Sequence, residues 1–206
     1  MSDYSKNFES YRVFINKVVR YDEDMFNIPT DAHILDIGCG FGDRVKLFRE
    51  KGYKNVSGID ISAYSVEKAG DSQITVGGIT ETKLKNESVD VAFVENVFHH
   101  IDAYETALDE ISRILKPNGY LCFIEPRNSV CRKLIDFLTF KTPTPKILKG
   151  PWAQRYIVIL EEIETGLYPL WLRSQGHFND LLQERYDIEW KKNGLFFFFV
   201  KAKKRK

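Results

Sequence analysis

The sequence predicts an α/β fold, a mostly parallel sheet with helices on both faces, and three observations carry that prediction. Ile34, Leu35 and Ile37 form a short apolar run that glycines end, the pattern of a buried parallel strand. Gly38, Gly40 and Gly42 then turn the chain, and from Asp43 the pattern turns helical, with Val45, Leu47 and Phe48 among Arg44, Lys46, Arg49 and Glu50. Further on, apolar runs at 56–60, 73–76, 88–94 and 120–126 alternate with stretches of helical spacing. A strand, a glycine turn and a helix form the first half of a nucleotide-binding unit, because a side chain in the turn blocks a ligand's approach to the backbone.

The spacing of that turn narrows the ligand. A dinucleotide fingerprint reads G-x-G-x-x-G. Here the glycines stand at 38, 40 and 42, and Asp43 occupies the place of the last one. An acid beside a pyrophosphate is repelled. Asp36, two residues before the first glycine, adds a second carboxylate, so a ligand with a cationic portion fits better than a diphosphate. Asp36-Ile37-Gly38-Cys39-Gly40-Phe41-Gly42 resembles motif I of the class I S-adenosylmethionine-dependent methyltransferases, of the methyltransferase type 11 kind. That cofactor carries an ammonium and a sulfonium and no phosphate.

At 206 residues the chain is expected to form one domain, residues 1–206. Its 43% apolar and 29% charged content is that of a soluble globular protein, and a net charge of +1 gives no global field for nucleic acid. Cys39, Cys122 and Cys131 lack C-x-x-C spacing and read as reduced thiols of a cytoplasmic protein. The four histidines and three cysteines form no ligand spacing, so no metal site is expected. The polar start Met-Ser-Asp-Tyr-Ser-Lys lacks a signal peptide's apolar core, and no apolar run approaches the roughly 20 residues that span a bilayer.

In chain order, Tyr4, Phe8, Tyr11, Phe14, Ile15, Val18 and Val19 stand at helical spacing, an amphipathic helix over one edge of the core. The resemblance implies that residues 1–30 also cap the cofactor, through Tyr4 or Tyr11. Val56–Asp60 reads as the second strand. A carboxylate at its end, roughly 20 residues after the glycine loop, can accept both ribose hydroxyls. Asp60 thus supports an adenosine ligand without choosing between S-adenosylmethionine and a nicotinamide dinucleotide. Residues 62–70 suggest a short helix and Gln73–Val76 a third strand. The family commonly has an Asp two residues past that strand, where this chain has Gly78. Ile61 and Ile79 are the remaining candidates beside the adenosine.

Ser88–Val94 reads as the fourth strand. Glu95 and Asn96 follow, where motif IV sits in the family, with oxygens to offer the methionine ammonium. His99 and His100 come next. Either can act as a base near neutral pH, against the plainer role of bracing the loop. Residues 102–116 show the clearest helical pattern, with Ile101, Tyr104, Leu108, Ile111 and Leu115 on one face. Lys116-Pro117-Asn118-Gly119 stops it, and Tyr120–Pro126 reads as the fifth strand; this helix–stop–strand sequence is a second match to the family. Asn128–Phe140 suggests a helix, prolines at 143, 145 and 151 make the next stretch irregular, and residues 152–182 look mostly helical. Tyr186–Lys192 and Leu195–Lys203, joined through Asn193-Gly194, read as a closing hairpin.

The resemblance, which covers residues 32–126, implies a Rossmann-like seven-stranded sheet of order 3-2-1-4-5-7-6 with its last strand antiparallel. It also implies that residues 127–182 cover the acceptor. The expected function is methyl transfer from S-adenosylmethionine, released as S-adenosylhomocysteine, to a small-molecule acceptor. Asp36, Gly38, Cys39, Gly40, Asp60, Ile61, Ile79, Glu95 and Asn96 are the expected cofactor contacts. Two alternatives stand beside it: a nicotinamide-dependent oxidoreductase, disfavoured by Asp43, and a non-catalytic cofactor-binding module. Between Arg127 and Arg155 the charges are Arg127, Arg132, Lys133, Lys141, Lys146, Lys149 and Arg155 against Asp136 alone. Such a stretch beside a cleft points to an acidic acceptor, or to a lipid at an anionic membrane surface. The competing view is that these charges solvate a helix and loop facing away. Oligomeric state and the methylated atom are not legible.

Overall fold

The structure, a computed structural model, describes residues 23–140 and 151–205, with the backbone alone at 23–24, 151–155 and 157. The expected N-terminal helix with Tyr4 and Tyr11, and the irregular stretch with Lys141, Lys146 and Lys149, lie outside the described residues. Seven strands form one sheet: β1 (His33–Ile37), β2 (Asn55–Asp60), β3 (Ile74–Val76), β4 (Val89–Glu95), β5 (Leu115–Pro126), β6 (Tyr186–Asn193) and β7 (Phe197–Lys204). Their order is β3-β2-β1-β4-β5-β7-β6. β1 pairs in parallel with β2 and β4, and β4 with β5, whereas β7 runs antiparallel between β5 and β6. The helices are α1 (Asp43–Glu50), α2 (Ala63–Ala69), α3 (Tyr104–Ile114), α4 (Val130–Phe140), α5 (Pro151–Glu164) and α6 (Leu167–Arg185).

Strand pleating divides the core in two. Leu35, Ile37, Ala92, Val94, Leu121 and Phe123 face one way, onto Ala107, Leu108 and Ile111 of α3 and Trp171, Phe178 and Leu182 of α6. Ile34, Val91, Phe93, Cys122 and Ile124 face the other way, onto Val45 and Phe48 of α1 and onto Phe26. Because both faces are covered, β1, β4 and β5 read as continuous apolar runs rather than alternating ones. Trp171 is fully buried, and its indole N–H is satisfied by the Pro126 carbonyl at 2.8 Å.

Three boundaries differ from expectation. α3 ends at Ile114, and Leu115 already pairs with Val89 as the first residue of β5. The Lys116–Gly119 helix stop is therefore an irregularity inside the strand, with Asn118 at φ 66° and Lys116 Nζ bonded to both Asp90 oxygens at 2.9 and 3.0 Å. The helical stretch after residue 150 breaks at Thr165-Gly166, where Gly166 at φ 76° starts α6. The β6–β7 connection is longer than a two-residue turn. Asn193 pairs with Phe198 and the Gly194 N–H closes onto the Phe197 carbonyl at 2.8 Å. Neither Asn193 nor Gly194 has the positive φ of a type I′ turn. Among the described residues no helix is long and apolar enough to cross a membrane.

Candidate functional site

The C-terminal ends of β1, β2 and β4 meet in the crevice where an open α/β sheet takes its ligand. The glycine turn forms one wall. Gly38 lies at φ 76°, and a Cβ there would collide with Val97 Cγ2, so the fold itself needs this glycine. Gly40 differs: its φ is 53°, and a Cβ there would meet nothing within 4 Å. Its open side is a cradle facing outward rather than a packing contact. Cys39 is inward. Its Sγ packs where a Gly58 Cβ would be, its N–H bonds the Ile59 carbonyl at 3.0 Å, and its carbonyl accepts from Gly42 N–H at 2.9 Å. Burial pushes its thiol pKa up, out of the reactive range.

Two carboxylates frame the turn. Asp60 accepts from Gly40 N–H and from Ser62 N–H, each at 2.8 Å, so one oxygen is pinned to the glycine loop and the other to the cap of α2. Burial raises its pKa although both amides favour the ionised form. Asp36 is 2% exposed, and its Oδ2 has no hydrogen-bond partner among the described residues. Burial first, then the charges of Glu95 and Asp60, raise Asp36 well above the usual carboxylate range. Glu95 itself is held by Arg44, with Nε–Oε2 at 2.9 Å and Nη2–Oε1 at 3.2 Å. Asp36 is thus a buried acid among acids with an unsatisfied oxygen. A cationic ligand with hydrogen-bond donors relieves that arrangement, and the ammonium of S-adenosylmethionine is such a group.

The other expected contacts separate. Asn96 takes the left-handed conformation at φ 57° and donates its N–H to the Ile124 carbonyl at 2.9 Å. Ile61 is 66% exposed beside Asp60 and offers a free apolar face. Ile79 is buried in the core, in the tight turn where Gly78 and Glu81 exchange backbone bonds at 3.2 and 3.3 Å.

Past Asn96 the loop is fixed by Glu125 at the end of β5, a residue that sequence reasoning missed. Glu125 is fully buried; its Oε1 accepts from Val97 N–H and Phe98 N–H, both at 2.7 Å, and its Oε2 lies 2.7 Å from His99 Nδ1. The signal was present, a charged residue closing the apolar run Leu121–Ile124. From the far side, α5 brings Glu162 Oε1 to 3.9 Å from His99 Nε2 and 4.0 Å from His100 Nε2. Desolvation pulls the His99 pKa down, but Glu125 and then Glu162 outweigh it and leave it at about 9. Desolvation and the charge on His99 hold His100 low. A third of its side chain meets solvent, which tempers the first cause but not the second. The two histidines are therefore unlike: one a buried cation at neutral pH, the other a neutral imidazole.

The basic stretch is partly engaged. Arg127 Nη1 bonds the Gly194 carbonyl and Arg132 Nη2 the Phe196 carbonyl, both at 3.0 Å, and buried Arg132 stacks over Phe197. These two arginines clamp the β6–β7 connection. A cavity of about 150 Å³, lined by Arg127, Gln175, Asn179 and Lys191 among others, lies beside them, away from the glycine turn.

Residues 35–123 match the family described as "Methyltransferase domain". The S-adenosyl-L-methionine-dependent Diels-Alderase iliD of Neonectria sp. is 34% identical over 104 residues, 50% of this chain and 41% of that protein. The ubiquinone/menaquinone biosynthesis C-methyltransferase UbiE of Campylobacter jejuni is 28% identical over 108 residues, 48% of this chain and 46% of that one. The chain thus spans less than half the length of either relative. A SAM-dependent methyltransferase from Aquifex aeolicus shares the fold, with a TM-score of 0.64 at 18% identity over all of both chains. Residues 35–123, the stretch that holds Asp36, the glycine turn and Asp60, thus resemble a methyltransferase domain.

Proposed function

We propose that this chain transfers a methyl group from S-adenosylmethionine to a small-molecule acceptor. The carrying observation is the unsatisfied buried oxygen of Asp36 among Asp60 and Glu95, beside the open cradle at Gly40. In this reading Asp36 and the Glu95–Asn96 segment hold the ammonium, Asp60 the ribose hydroxyls, and Ile61 the adenine face. S-Adenosylmethionine supplies an already activated methyl on its sulfonium. The protein's task is then alignment of the acceptor and exclusion of water. His99, protonated between two glutamates, serves to position and not to abstract a proton; neutral His100 is the base if the acceptor must lose one.

Residues 127–182 act as the acceptor cover in this reading. The preference for an acidic acceptor rests on Lys133, Lys141, Lys146, Lys149 and Arg155, since Arg127 and Arg132 are held by carbonyls. Exposed Leu134, Phe137 and Leu138 on the same helix suit a lipid-like acceptor as well. Calorimetric titration with S-adenosylhomocysteine and with NAD, followed by a methyl-donor assay over an acceptor library, tests this. S-Adenosylhomocysteine is expected to bind and NAD not, and Asp60→Ala should weaken binding by about 1–3 kcal/mol. Tight NAD binding without a response to S-adenosylhomocysteine would overturn the proposal.

A further inference from the structure

Beyond the cofactor crevice, one cluster has the composition and layout of a metal centre. His99 and His100 are neighbours in a single turn of 3-10 helix, Phe98–His100, yet their rings lie on the same side, 4.1 Å apart between centroids and tilted by 37°. Glu162 reaches them from α5, 62 residues further along the chain, which is why no spacing in the sequence reveals it. Its Oε1 stands 3.9 Å from His99 Nε2 and 4.0 Å from His100 Nε2, and one donor atom from each residue lies within 4.8 Å of the other two.

We propose that His99, His100 and Glu162 bind one divalent first-row cation, Zn²⁺ being the reference case; the cation displaces the Nε2 proton of His99, and His100 then serves as a ligand and not as a base. Two imidazole nitrogens and one carboxylate are a recurring donor set of open, three-ligand sites, in which further positions are left to water or substrate. The distances are near what such a set needs. Ligands about 2.1 Å from a tetrahedral ion sit roughly 3.4 Å from each other, so Glu162 has to close by about half an ångström on each imidazole, and the donor atoms, now within 4.8 Å of one another, have to draw together around the ion.

The surroundings carry the proposal further than the three donors do. A metal-bound histidine donates its other ring N–H to a carboxylate that fixes its tautomer and orientation. Glu125 does this: its Oε2 is 2.7 Å from His99 Nδ1, leaving Nε2 directed at Glu162. Glu125 is itself immobilised by the amides of Val97 and Phe98 at 2.7 Å, so the ring it orients is held by the end of β5. An apolar shell of Phe98, Tyr168 and Trp171, each 3% exposed or less, borders the turn, and the Tyr168 ring meets His99 edge-on at 6.0 Å. The site stands independently of methyl transfer. It lies between the loop after β4 and α5, so an acceptor held under α5 would bring an anionic oxygen to the cation's open positions.

The test uses the full chain stripped with a chelator and dialysed. Zn²⁺ is titrated calorimetrically, bound metal is counted by elemental analysis, and Co²⁺ is used as a spectroscopic probe of imidazole coordination. One equivalent per chain is expected, with Co²⁺ absorption of a four- or five-coordinate site. Glu125→Gln should weaken Zn²⁺ binding roughly 10–100-fold while sparing the stoichiometry. His100→Ala and Glu162→Gln should abolish the stoichiometric equivalent, with circular dichroism and thermal melting checking that each variant folds. Failure of the wild-type chain to take up an equivalent overturns the proposal. So does wild-type affinity in folded His100→Ala and Glu162→Gln, which would assign the cation elsewhere.

Discussion

Two carboxylate clusters flank the segment 95–100, and they solve the problem of buried acid in opposite ways. On the glycine-turn side Asp36, Asp60 and Glu95 crowd together, and Arg44 is hydrogen-bonded to Glu95. On the α5 side Glu125 and Glu162 face His99, whose pKa rises to about 9 so that it offsets one of their two charges from within. The first cluster is left wanting a positive ligand; the second is compensated in part from within, and its Glu125–His99 pair braces the loop. A fold that keeps an uncompensated acid in its core gives up stability for recognition, whereas a compensated one fixes geometry.

The sharpest way to break this contrast is Glu125→Ala. It removes the acceptor for two backbone amides and the partner of a buried histidine, so a loss of about 3–5 kcal/mol is expected. Urea unfolding should show a lower midpoint at an unchanged slope. A loss below about 1 kcal/mol would mean that the loop is held by something other than this carboxylate.

Asp36→Asn should act in the opposite sense on stability, with a smaller effect read mainly in binding. Affinity for S-adenosylhomocysteine should fall roughly 10–100-fold, the equivalent of about 1.5–3 kcal/mol for a charged hydrogen bond. The folded pKa of Asp36 is raised, so its contribution to stability is fully present below its unfolded value, about 3.9, and is lost as pH rises through the folded value. Asparagine has no charge to lose. The variant should therefore melt higher than the wild type at neutral pH, with the gap closing in acid. Unchanged affinity together with an unchanged melting temperature would show that Asp36 is neither strained nor part of the cofactor site.

What could be read in the sequence follows the same division. The turn at 38–42, Asp36 and Asp60 are local in the chain, because strand, loop and helix succeed one another within a few residues, and apolar periodicity gives the strands on either side. Their roles rest on groups that sequence neighbourhood brings together. The α5-side cluster joins a loop at 97–100, a strand end at 125 and a helix at 162, and nothing in their spacing links them. Ile61 and Ile79 make the same point on a smaller scale. Both are apolar residues just past a strand, yet one is 66% exposed and the other 6%, because the Gly78–Glu81 turn folds Ile79 into the core. The end of α3 differs from the sequence expectation for a related reason. Lys116, Pro117 and Gly119 are helix breakers, but tertiary pairing of Leu115 with Val89 had already ended the helix.

The smallest expected effect sharpens the contrast from outside both clusters. Glu110 of α3 accepts from Thr82 N–H at 2.8 Å and Thr82 Oγ1 at 2.6 Å, and pairs with Arg113 through two bonds of 2.7 Å. It anchors the end of the 78–82 turn that carries Ile79. The Arg113 hydrogen bonds, then those from Thr82, outweigh desolvation and lower its pKa to about 2. Here an acid is compensated without deep burial, so its charge should contribute modestly. A third of the Arg113 side chain meets solvent, which screens the pair, and Glu110→Gln keeps an oxygen for Thr82; a loss of about 1 kcal/mol at pH 7 is expected. The sign follows from the depressed pKa. The contribution is fully present above the unfolded value, about 4.3, and disappears as pH falls toward 2. Urea midpoints of wild type and Glu110→Gln should therefore differ at pH 7 and converge between about pH 4 and pH 2, while Asp36→Asn moves the other way over its own range. A gap that persists unchanged at pH 2 would mean that shape and not charge holds the turn.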